Sequence, residues 1–63
     1  MDAKDQDAVE AALDRLPVVH ALALRLRSSG VGDEELCRRL GIEPEALDML
    51  LLVARLKLSK ELG

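Results

Sequence analysis

The reactive inventory of this 63-residue chain is short: one cysteine, one histidine, twelve carboxylates and nine basic side chains. Cys37 has no second cysteine to bridge to. With His20 the only histidine, a Cys/His zinc site lacks ligands. Cys37 sits within a segment of helical periodicity, where a small buried residue is expected rather than a redox thiol. His20 falls near the start of another such segment, off its expected apolar stripe, which places it at the surface or boundary. The carboxylates cluster where helices begin. None has a histidine or a glycine-rich loop beside it to build an acid–base pair or a phosphate cradle. No serine–histidine–acid arrangement is visible. Enzyme activity, a cofactor and a bound metal are therefore not expected. What remains is electrostatic. Arg25 and Arg27 end one segment, and Arg38 and Arg39 end the next. Together they could form a ridge against nucleic-acid phosphates. The plainer account is that cations at helix C-termini complement the helix dipole.

Composition narrows the class further. The chain is 49% hydrophobic and 33% charged with no aromatic residue, so its core must be leucine, valine and alanine. That hydrophobic share is too high for a disordered tail. A domain this small buries only about 60% of its unfolded surface, which favours tight helix packing, a partner, or both. The net charge of −3 is the wrong sign for a protein that mainly grips phosphate. The longest apolar run, Met49 to Ala54, is too short to span a bilayer, and the start at Asp2, Asp5 and Asp7 is unlike a basic leader. A soluble cytoplasmic protein with no membrane contact is expected.

The elements that must position these groups read as an all-α fold: a small domain of four helices, at about 4–16, 17–28, 33–40 and 44–62, in a single domain over 1–63. Val9, Ala12, Leu13 and Leu16 form the stripe of the first, with Asp5, Asp7 and Glu10 in its early turns. Pro17 breaks it and opens the second, for which Val19, Leu22, Ala23 and Leu26 are the expected stripe, closed by Ser29-Gly30. Asp33-Glu34-Glu35 starts the third and Gly41 ends it. Pro44 opens the fourth.

The third and fourth segments satisfy the requirements of a helix-turn-helix. Cys37 is the small residue in the first helix, and Gly41 is the turn residue able to reach positive φ. Leu36, Leu40, Ile42, Leu47 and Leu50 or Leu51 are the packing set. On these residues, with Gly30, Glu35, Pro44-Glu45-Ala46, Ala54 and Lys57-Leu58, the stretch from about Val19 to Leu58 resembles region 4 of bacterial sigma factors and related response-regulator-type helix-turn-helix domains. The resemblance covers about two-thirds of the chain. It implies a trihelical scaffold with a first helix added, and a role in transcription regulation. In that family the last helix of the motif reads the major groove.

The groove-facing positions of that pattern depart from it. They fall on Glu43, Pro44, Glu45, Asp48, Met49 and Leu52, none of them basic and three of them acidic. Carboxylates there would repel phosphate and offer no counterion release. Wound at about 100° per residue, the fourth helix also carries two apolar stripes. Leu47, Leu50, Leu51, Ala54 and Leu58 belong to the motif's core. Met49, Leu52, Val53 and Leu56 form a second stripe on roughly the opposite side. A helix apolar on both sides is buried on both sides. Two coverings are open: the first helix, laying Val9, Leu13 and Leu16 on the second stripe, or another chain. The expectation is a non-catalytic interaction module, a homodimer or a complex with a protein partner through Met49, Leu52, Val53 and Leu56. The alternative is a sequence-specific DNA-binding regulator using Arg25, Arg27, Arg38 and Arg39 on phosphate.

Overall fold

The chain is seen in a computed structural model, which describes the backbone from Ala3 to Gly63 and side chains from Asp7 onward. Asp2 and the side chain of Asp5 lie outside the described residues. Four α-helices follow one another: α1 (Ala3–Asp14), α2 (Val18–Ser28), α3 (Asp33–Leu40) and α4 (Pro44–Leu62). The all-α expectation holds, with no strand among the described residues.

Local chemistry explains each boundary. Helix α1 stops at Asp14, two residues before the expected end, because the proline ring at position 17 disfavours helical backbone at Leu16. The last turn tightens instead: the Arg15 and Leu16 amides donate to the Ala12 and Leu13 carbonyls, each at 3.1 Å. Pro17 is extended (φ −53°, ψ 146°) and caps α2 rather than belonging to it. Helix α2 ends in a Schellman arrangement. Gly30 is left-handed at φ +90°, its amide donates to the Arg27 carbonyl at 3.0 Å, and the Val31 amide reaches back to Leu26 at 3.1 Å. Leu26 and Val31, the side chains joined by that bond, both pack against the core. Helix α3 ends on Gly41 at φ 68°, where the Cys37 carbonyl accepts from the amides of both Gly41 and Ile42. Pro44 then opens α4, its missing N–H costing nothing at a helix start.

Helix α2 packs mainly on α4. Helix α3 lies against both, and α1 against α4 and α2. The shared core is Leu13 of α1, Leu16 just beyond it, Ala21, Ala23 and Leu24 of α2, Leu36 and Cys37 of α3, and Leu47, Leu51 and Ala54 of α4. Cys37 is buried, as its position in the pattern required. The stripe expected for α2 holds at Ala23 and Leu26, which face the core, and is corrected at Val19 and Leu22. Val19 and Leu22 are exposed, while Ala21 and Leu24 are buried. Helix α2 is apolar at Val18, Val19, Ala21, Leu22, Ala23, Leu24 and Leu26, so two phases satisfy its periodicity. Contact with α4 selects the one centred between Ala23 and Leu24. His20 lies on that inner arc. It is half-buried, and its Nδ1 is sealed without a hydrogen-bond partner among the described residues.

No helix of the described residues is long and apolar enough to cross a membrane.

Candidate protein-interaction face

Helix α4 shows two different sides. Leu47, Leu51 and Ala54 point into the core and are at most 5% exposed. Leu50 and Leu58 pack partly against that core. On the other side Met49 is 61% exposed, Leu56 58% and Leu52 52%. Val53 is half-buried at the edge of this face. The second stripe is thus a real surface of the fold.

Of the two coverings left open by the sequence, the internal one fails for Met49, Leu52 and Leu56. Helix α1 does pack on α4, but Leu13 and Leu16 enter the core shared with α2 instead of lying over the second stripe. The placement of α1 is held at its edges by charge. The Arg25 guanidinium, near the end of α2, donates to Glu10 at 2.9 Å and Asp14 at 3.0 Å, both on α1. Arg15 approaches Glu61 of α4 at 4.0 Å. Helix α1 thus lies against both α4 and α2, and leaves Met49, Leu52 and Leu56 uncovered.

Charges frame the exposed face in order along the helix. Glu45 and Asp48 lie at its beginning, and Arg55, Lys57 and Lys60 toward its end. All five are exposed, and none takes part in an ion pair among the described residues.

The four arginines considered for phosphate are placed differently. Arg25 is clamped by Glu10 and Asp14. Arg27 pairs with Asp33, bridging the end of α2 to the start of α3. Arg38 donates to Glu35 at 2.9 Å, and Arg39 donates to the other oxygen of the same carboxylate at 2.9 Å. The hydrogen bonds that Arg25 donates to Glu10 and then to Asp14 hold its guanidinium more firmly in the charged form. The hydrogen bond from Arg39, aided by the positive charges of Arg38 and Arg39, holds the Glu35 carboxyl below the usual carboxylate range. Each guanidinium therefore already faces a carboxylate of the same chain. These pairs are solvent-exposed and individually weak, but they offset the positive potential a phosphate would seek.

Between α3 and the start of α4 lies an open cleft of about 310 Å³ lined by Asp33, Glu34, Cys37, Pro44, Leu47 and Asp48. Its charged rim is wholly acidic. Glu43, Pro44, Glu45, Asp48, Met49 and Leu52, the positions that would face a groove, are all exposed. Among the described residues no group of three or more histidine, cysteine or acidic side chains converges as metal ligands.

Sequence reasoning missed two features. Val18 is 80% exposed, and with Leu22 it lines an open groove against Leu13 and Leu16 at the α1–α2 corner. The signal was present as an i, i+4 apolar pair directly after Pro17, of which only Leu22 had a place in the expected stripe of α2. The pairing of Arg25 with Glu10 crosses fifteen residues and has no signature in local spacing.

Comparison of the chain with protein-family models, with curated proteins and with solved structures returned no match.

Proposed function

We propose that this protein is a non-catalytic, helix-turn-helix interaction module associated with transcription, which binds another polypeptide through the outward face of α4. The observation that carries this reading is the exposure of Met49, Leu52 and Leu56 on one side of a helix whose other side buries Leu47, Leu51 and Ala54 in the core. Singly exposed leucines are ordinary, but a contiguous apolar row on a rigid helix marks a contact surface. The transcriptional association rests on the resemblance of residues 19–58 to sigma region 4. The order of helices and the left-handed Gly41 between α3 and α4 are compatible with it.

Direct DNA binding is supported less well. The cleft between α3 and α4 is rimmed by acid, and Arg25, Arg27, Arg38 and Arg39 are each engaged by carboxylates of their own chain.

Two measurements test the reading together. A photo-crosslinking side chain placed at Leu56 in the living cell is expected to capture a polypeptide, while one at Arg38 on α3 is not. Labelled duplex titrated at two salt concentrations is expected to show no steep salt-dependent binding near physiological salt. Strong salt-dependent duplex binding, with no crosslink from position 56, would falsify the proposal.

A further inference from the structure

We infer that the occupant of the α4 face is a second copy of this chain, docked antiparallel, with Asp48 of each copy against Arg55 of the other. The inference rests on the interaction reading above and adds the partner and its orientation.

The spacing on the face sets the frame. Glu45, Met49, Leu52 and Leu56 recur at intervals of four, three and four, the a/d rhythm of a two-helix seam. Met49, Leu52 and Leu56 supply its apolar middle. Asp48 and Arg55 lie seven residues apart, on one flank of that seam. Ala46, Val53 and Lys60 lie on the other. A two-fold axis perpendicular to the helices lays each flank on its own counterpart. In the register that sets Met49 over Leu52 of the second copy, Asp48 meets the second copy's Arg55, and Arg55 meets its Asp48. Ala46 and Val53 meet on the far flank. Lys60 of each copy leans over Glu45 of the other, because helical side chains tilt toward their own N-termini. The interface closes with four opposite-charge pairs around an apolar centre.

Parallel docking fails on the same residues. It sets Glu45 beside Glu45, and brings Arg55 of one flank against Lys60 of the other. Sliding the antiparallel pair by one heptad sets Arg55 against Arg55. Of these arrangements only the first sets Glu45, Asp48, Arg55 and Lys60 each against an opposite charge, and those charges have no partner within their own chain among the described residues. The acid-first, base-last order that α4 shares with many helices is thereby turned outward as a self-complementary surface. The contact is confined to one helix per copy, so the association is reversible and weakens with salt.

The test uses the full chain in sedimentation equilibrium over a concentration series, with native mass spectrometry to count mixed species. The wild type is expected to reach dimer mass, and Leu56→Asp to remain monomeric. Asp48→Arg and Arg55→Asp each place like charges at two symmetric contacts, and each is expected to weaken self-association roughly tenfold. Mixed in equal amounts, the two single variants restore both pairs and are expected to form a mixed dimer of near wild-type strength. Both changes are at exposed sites, and unchanged helical circular dichroism confirms that the variants are folded. A wild type that stays monomeric to millimolar concentration overturns the second copy as occupant, while crosslinking from position 56 still reports on the interaction reading. A dimer that survives Leu56→Asp overturns the face itself. A dimer lost in Leu56→Asp, but not recovered in the mixture, overturns the antiparallel arrangement alone.

Discussion

Leu51 and Leu52 are neighbours of identical chemistry on one helix, yet Leu51 is 5% exposed and Leu52 is 52% exposed. The contrast extends along α4. Leu47, Leu51 and Ala54 complete a core to which every other helix contributes, whereas Met49, Leu52 and Leu56 face outward. The charges divide in the same way. Around α2 and α3 the arginines are matched within the chain, and along the outer edge of α4 the charges have no partner among the described residues. One side of the molecule is complete by itself. The other presents an apolar row to the outside.

The contrast can be broken or sharpened by experiment. The largest effect is expected from Leu51→Ala, which removes a buried side chain from a core of few large residues. It should cost about 2–5 kcal/mol in denaturant unfolding. Leu52→Ala, measured at concentrations too low for association, should shift stability by no more than about 0.5 kcal/mol. Equal losses from the two would erase the distinction between the faces. Next comes Gly41→Ala. Nothing lies within 4 Å of the added Cβ, but φ of +68° is strained for an L side chain. A loss of about 1–2 kcal/mol in thermal unfolding is expected, from backbone conformation alone.

Leu56→Asp should then leave helical content and monomer stability nearly unchanged while abolishing any dimer mass. A fall in stability without a change of mass would show that the stripe belongs to the internal core. The smallest effect concerns the matched charges. Because Arg39 holds the Glu35 carboxyl below its ordinary range, the stabilisation from this pair is fully present at neutral pH. It is lost as pH falls through that lowered range, where the folded state takes up the proton. Arg39→Gln should therefore slightly flatten the acid side of the stability–pH profile and leave the association constant unmoved. Exposure of the pair keeps this effect well below that of Gly41→Ala.

The fold was legible where punctuation is local. Asp33, Gly41 and Pro44 act through their own backbone and dipole preferences, and α3 begins and ends, and α4 begins, where those residues place them. Pro17 was legible as a break, but its effect on the residue before it shortened α1 further than its stripe implied. The phase of α2 was not legible. Seven apolar residues in eleven leave the choice of inner side to α4, and that information is not in the segment itself. The same limit applied to the candidate site. Periodicity identified Met49, Leu52, Val53 and Leu56 as one stripe. Whether α1 covered them depended on how Leu13 and Leu16 enter the core shared with α2 and α4, an arrangement of distant residues.

Ala23 on α2 and Ala54 on α4 are both 0% exposed, in the two helices that pack most closely together. Where a methyl group fills a site that helices have closed around, any larger side chain must push the backbones apart. The leucines of this core can exchange with methionine or isoleucine at modest cost, but the two alanines have no conservative neighbour except serine or glycine. The sequence space open to this fold is correspondingly lopsided. Drift can rewrite the outer edge of α4 long before it can enlarge the two closed alanine sites on α2 and α4.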